Sequence, residues 1–356
     1  MGFETVDTFL SATRSWTASG GRVFNLVQQL KLGTTNADDI SPVTQHDDNR
    51  RRTGEIAQTL DHALIRMGNL SNLEMKGVVL DSGFTSLLQN LKQLKECSLE
   101  RVCVENAGEC RPMALLAVEN LKLVSICWHG RNRDSEIVRA CLRLKKLTIS
   151  WHADRADEMD WGENWTQSTC STLAITTRLA WPARGEQLRR HRVKFISMLR
   201  MFPSVIELHI HGSIPPFFET DTEKKPMLVK MVNYRGPIHF LNLSRALPKV
   251  RSLNLTDCGL LGQHFREETL HVEAVRELTL DIFSCEEEIV CRLISVMSKL
   301  ERLKVNISDD VFEQVRGWFT SSTVQCSESI IDCDLDMYRR HSINECGATT
   351  CIGNGK

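Results

Sequence analysis

His209 and His211 stand one residue apart, a spacing that could begin a metal site. On a strand, alternate residues share a face, so both imidazoles would point the same way. A metal needs further ligands. None is evident beside the pair in the sequence, so no metal is expected there. Cys326, Cys333, Cys346 and Cys351, with His341, offer soft ligands near the C-terminus. Zinc sites usually pair cysteines across two to four residues, and only Cys346 and Cys351, with four residues between them, come near that. Gly353-Asn354-Gly355-Lys356 does not fit a phosphate loop, which places Ser or Thr after the lysine. There is no Gly-x-Ser-x-Gly, no His-Glu-x-x-His and no dinucleotide-binding glycine set. Acidic residues are spread evenly, with no pair marked out as acid and base. The expectation is a protein with no catalytic residues, no cofactor and no metal.

Aromatic residues in polar segments are the other candidates. Trp161 and Trp165 lie in an acidic stretch with Asp154, Asp157, Glu158, Asp160 and Glu163. A tryptophan in an exposed loop can anchor a partner. The competing reading is that this stretch packs on the basic one carrying Arg184, Arg189, Arg190, Arg192 and Lys194. Trp128-His129 and Trp151-His152 read as one offset in adjacent repeats, with both tryptophans inward and both histidines outward.

The elements that position these residues are repeats. Val250-RS-Leu253-N-Leu255-TD-Cys258-G-Leu260 matches the pattern L-x-x-L-x-L-x-x-C-x-L. Looser copies start at Val27, Leu70, Leu94, Leu121, Leu144, Cys170, Val205, near Leu228, and at Val275 and Leu300. The mean step is about 27 residues, within the 20–29 of leucine-rich repeats. In x-x-L-x-L both apolar side chains face one side of a short strand. The segments before the strands carry helical spacing: Ile137, Val138, Cys141 and Leu142; Phe195, Ile196, Leu199 and Phe202; Ile289, Val290, Leu293, Ile294 and Met297. One unit cannot bury both faces alone, and stacking buries them. An α/β fold follows: a leucine-rich-repeat solenoid of about eleven strand–helix units, with a parallel sheet on the concave face and helices outside. In a doubly wound α/β sheet both faces are covered and strands read as apolar runs. Here Lys31, Glu74, Ser98, Ser125, Thr148, Ala174, His209, Asn254, Thr279 and Lys304 fall between the apolar positions, so one face should be wet.

Residues 1–20 are expected as a lead-in and 21–320 as the solenoid, with insertions at 33–53, 152–168 and 178–194. A helix of Val311, Phe312, Val315, Trp318 and Phe319 should cap the stack, and 321–356 should be a disordered tail. The net charge of −1 lacks the footprint of a dedicated nucleic-acid binder. No apolar run reaches the length of a membrane span, and the N-terminus does not read as a signal peptide. Thirteen scattered cysteines suit a reducing compartment, so the chain is expected in the cytoplasm or nucleus. The wet sheet face is the expected contact surface for a protein partner, with Glu74, His209, His211, Asn254, Trp161 and Trp165 as candidate binding residues.

Two segments, Leu26-VQQ-Leu30-K-Leu32 and Tyr234-RGPIHFLNLSRALP-Lys249-VRSLNL, carry a family resemblance. With the irregular repeats and long insertions, they resemble fungal F-box/leucine-rich-repeat proteins over roughly residues 20–320. The resemblance implies a solenoid that holds a substrate protein for ubiquitination. It extends to the repeats alone, because about twenty residues ahead of the first strand are too few for an F-box. Two alternatives stay open: a repeat-only scaffold with no ligase role, and an enzyme with an unrecognised site.

Overall fold

A computed structural model describes residues 2–3, 6–33, 59–60, 62–80, 83–107, 115–130, 133–151, 161, 165–177, 186–212, 214, 228–238, 240, 249–256, 272–282, 293–308 and 332–338. Thirteen parallel strands form one sheet, laid down in sequence order. They are β1 (Gly2–Phe3), β2 (Gln29–Gly33), β3 (Asn72–Lys76), β5 (Glu96–Glu100), β7 (Asn120–Val124), β9 (Lys146–Trp151), β10 (Thr172–Thr177), β11 (Glu207–His211), β12 (Asn233–Pro237), β13 (Ser252–Thr256), β14 (Glu277–Ile282), β15 (Arg302–Ser308) and β16 (Asp332–Tyr338). The helices that bear on the argument are α1 (Val6–Ala18), α2 (Phe84–Asn90), α3 (Asp134–Ala140) and α4 (Glu186–Arg200). Among the described residues no helix is long and apolar enough to cross a membrane.

Most units of the repeat begin the same way. An N–H just ahead of the strand bonds a carbonyl three residues back: Val27 to Phe24, Leu70 to Met67, Leu94 to Leu91, Val205 to Phe202 and Leu300 to Met297, at 2.9–3.3 Å. The next residue then donates to its counterpart in the preceding unit. This ladder runs unbroken from Gln28 through Ser71, Lys95, Glu119, Lys145, Ser171, Ile206, Val232, Arg251 and Arg276 to Glu301. It sets the phase of all eleven sequence repeats. Two of them need correction: the units expected at Leu121 and near Leu228 begin at Val118 and Met231. The inward residues of β7 are therefore Leu121 and Leu123, and the residue between them is Lys122, not Ser125.

Alternation then builds the core. Leu30, Leu32, Leu73, Met75, Leu253 and Leu255 are all buried, and the polar residues between them face outward. Burying each such side chain stabilises by roughly 1.5–3 kcal/mol. Phe195, Ile196, Leu199 and Phe202 close the same core from α4 and the turn after it. Leu142 does not join Ile137, Val138 and Cys141; it is exposed.

A second parallel sheet of three strands, β4 (Val79–Leu80), β6 (Cys103–Ala107) and β8 (Cys127–Gly130), was not legible in the repeat. The chain enters these strands through a corner with positive φ at Gly77 (64°), Arg101 (52°) and Ser125 (57°). Corner N–H groups reach across to the next unit, Gly77 to the Glu100 carbonyl and Arg101 to that of Val124. Trp151 holds the equivalent place in the following unit and stays extended as the last residue of β9. Trp128 lies on β8, so the two tryptophans do not occupy one offset.

Both ends differ from expectation. The lead-in forms β1, which pairs with β2, and α1, which buries Phe9 and Leu10. Within the tail expected to be disordered, residues 332–338 form β16, in register with β15 from Arg302↔Asp332 to Ser308↔Tyr338. The basic stretch expected as an insertion at 178–194 is helical from Glu186 onward. There Glu186 pairs with Arg189 and Arg190 at 3.9 and 3.8 Å. The insertion at 33–53 beyond Gly33, the capping helix and most of the acidic stretch lie outside the described residues.

At Gly212 (φ 98°) an added Cβ would meet the Thr177 carbonyl oxygen at 2.4 Å. Gly212→Ala is expected to cost about 1–3 kcal/mol from the left-handed backbone alone, and more from the clash. At Gly33 nothing lies within 4 Å and no such backbone applies. Gly33→Ala should therefore leave the urea midpoint near wild type. Equal midpoints for the two variants would show that Gly212 is not held in its corner.

Candidate functional site

The outward residues of the large sheet form continuous columns across its open face. One runs Lys31, Glu74, Ser98, Lys122, Thr148, Ala174, His209, Arg235, Asn254, Thr279, Lys304, each the register partner of the next. Four of the sequence candidates, Glu74, His209, His211 and Asn254, share this face. Two depressions of about 390 and 370 Å³ lie along it. The first is lined by Lys31, Glu74, Ser98 and Lys122, among others. The second is lined by Thr148, Thr172, Ala174, Thr176, His209 and His211 together with Val124 and the charged Glu100, Lys122 and Lys146.

The two depressions differ electrostatically. Towards the N-terminal strands the charges are paired across the rungs. Lys31 meets Glu74 at 2.7 Å, and Glu96 accepts from Asn72 at 2.7 Å and Asn120 at 3.1 Å. Glu100 accepts from Lys122 at 2.7 Å, with Lys76 at 3.7 Å. The Lys122 hydrogen bond holds the Glu100 carboxyl below the ordinary carboxylate range. Solvent screens such exposed pairs, so they set the surface pattern more than the stability. At the C-terminal end Arg276 pairs with Glu301, Arg302 with Glu277, and Asn306 donates to Asp281.

The centre carries Thr148, Thr172, Ala174 and Thr176 beside the two histidines. Partial burial lowers the pKa of His209 and of His211; the Glu207 carboxylate opposes this at His209, and the Arg235 cation adds to it at both. Their rings stand edge to face with centroids 6.4 Å apart. Both shifts favour the neutral imidazole, so the strip of threonines, Ala174 and histidines is polar and adds little charge of its own. Lys122, Lys146, Glu207 and Arg235 border it. Asn254 lies beyond Arg235, and its amide oxygen is buried without a hydrogen-bond partner among the described residues.

The candidate tryptophans are elsewhere. Trp161 is only 6% exposed, stacked on Trp165 at 6.2 Å, and both pack edge-on to Phe202. Phe202 belongs to the apolar layer behind the sheet, so these rings join the core and not the open face. A tryptophan in an acidic stretch reads as exposed because sequence alone does not show which apolar pocket it fills.

Cys97, Cys103, Cys127, Cys141 and Cys170 fall into two groups. Cys97, Cys141 and Cys170 are buried, and burial raises all three thiol pKa values, those of Cys97 and Cys170 to about 12. They act as small apolar side chains. Cys103 on β6 and Cys127 on β8 are half-exposed register partners, and His129 follows on β8. Their ligand atoms and the His129 imidazole all lie within 4.8 Å of one another. The sequence held a signal for this: the cysteines are one repeat apart, and Cys127 and His129 alternate as strand neighbours do. Reading His129 together with Trp128 hides it, because adjacent strand residues face opposite sides. No protein-family model and no curated protein matches the chain, so the fold and these surfaces carry the functional reading alone.

Proposed function

We propose that the chain is a leucine-rich-repeat solenoid that binds a protein partner on its open sheet face and has no catalytic role. The observation that carries this is the neutral Thr–Ala–His patch bordered by charges of both signs. Protein interfaces place uncharged groups at the centre and charged ones at the rim, because a central charge must be desolvated. A sheet also presents side chains on a rigid support, so little ordering entropy is lost on contact. The mixed rim suits a protein better than a polyanion, which would favour a basic stripe. The family resemblance refines the proposal: the partner is a substrate handed to a ubiquitin ligase, in the cytoplasm or nucleus.

The test places a charge in the patch. Thr176→Arg combined with His209→Glu, at two partly exposed positions, is expected to abolish capture of partners that bind wild type, with the melting temperature little changed. Arg189→Glu combined with Arg190→Glu, on the outer side of α4, should leave capture intact. Capture should also weaken as pH falls below the ordinary imidazole value. Both histidines have lowered pKa values, so they stay neutral above that range and gain charge only on acidification. Equal capture by the first variant and wild type would remove the open face as the binding site.

A further inference from the structure

We infer that Cys103, Cys127 and His129 form a metal site for a thiophilic divalent cation of the zinc class, on the second sheet and separate from the proposed protein-binding face. The three residues are brought together by topology. Cys103 and Cys127 are direct neighbours on parallel β6 and β8. Strand alternation puts His129 on the same face as Cys127. The intervening Trp128 points the other way, buried, with its indole N–H donating to Asp134 at 2.9 Å. Trp128 thus fixes the strand that carries two of the ligands.

The chemistry and dimensions suit zinc. Two thiolates and an imidazole are ligands it accepts, at about 2.3 Å to sulfur and 2.0 Å to nitrogen. Tetrahedral geometry at those lengths separates the ligand atoms by roughly 3.5–3.8 Å. The ligand atoms here lie within 4.8 Å of one another, near that spacing before any metal draws them in. His129 is exposed and the cysteines half-exposed, so the fourth position faces water. On binding, each thiol gives its proton to solvent and the imidazole coordinates neutral. The dication and two thiolates then leave no net charge. The third strand of this sheet places Val79 beside Cys103, so the ligand set does not extend onto β4.

The experiment uses the full chain, reduced, with cobalt(II) as a spectroscopic probe and zinc(II) as competitor. Cobalt should produce a thiolate-to-metal charge-transfer band that zinc abolishes. Cys103→Ser combined with Cys127→Ser should remove the contribution of one metal equivalent. His129→Asn, at an exposed position, should weaken binding by more than about tenfold. Independently of any variant, zinc should slow alkylation of Cys103 and Cys127 as mapped by peptide mass. Charge-transfer intensity unchanged in the double variant would overturn the site, as would unchanged alkylation rates at these two cysteines. Metal-induced oxidation of the pair to a disulfide would also overturn it. None of these readouts depends on partner capture, so the two proposals fail separately.

Discussion

Trp151→Ala is expected to destabilise the chain by about 3–5 kcal/mol, the range for emptying a buried aromatic site. Trp151 is 1% exposed and meets Phe195 of α4 edge to face, with centroids 5.4 Å apart. It also ends β9 and sits in register with Thr177 of β10. The substitution would open a cavity between sheet and helix at a point where neighbouring units meet. Trp151→Phe should cost much less. The indole N–H is buried with no hydrogen-bond partner among the described residues, so losing it forfeits no bond there. Urea midpoints at unchanged slope would measure both. A Trp151→Ala chain as stable as wild type would show that α4 is not held to the sheet at this point.

The second large effect concerns β16. A chain ending at Thr320 would leave the outer edge of β15 unpaired from Arg302 to Ser308. An exposed strand edge presents free N–H and C=O groups and invites pairing with another molecule. The truncated chain is expected to melt several degrees lower and to form higher-mass species on size exclusion. A chain ending at Arg340 should behave as the whole. If the shorter chain stays monomeric with an unchanged melt, β16 contributes nothing to the sheet.

The strands were legible because Leu-x-Leu alternation is dictated by a sheet with one buried face. Legibility failed where another residue did the leucine's work. In β12, Tyr234 and Gly236 take the two inward places. The Tyr234 ring stacks on Phe240 at 4.7 Å, and its hydroxyl donates to the Pro237 carbonyl at 2.8 Å. A Cβ on Gly236 would lie 2.6 Å from that hydroxyl, so a large residue is matched to a small one and the pattern blurs. The unit at Val118 was misphased because Val124 and Ile126 also alternate. Ile126 is buried beyond the corner, not within the main strand. The second sheet escaped because Arg101 and Ser125 take its left-handed corners without the glycine that would have marked a turn. Of the candidate site, the histidines and Asn254 were placed by alternation alone. The neutrality of the patch needed lateral register, which brings Thr148, Ala174 and His209 side by side from residues far apart in the chain.

The sequence-ordered sheet has a further consequence for cooperativity. Its strongest contacts run between each strand and the next one along, and among the described strands no pairing joins the two ends. Such a chain is energetically a one-dimensional array, in which stability is a sum of unit and nearest-neighbour terms. Opening then begins by fraying at the termini and travels inward like a zipper. The histidine-bearing patch on β11 has several strands on either side, so it sits where local opening is rarest. The geometry that a partner would meet is thereby kept fixed while the ends breathe.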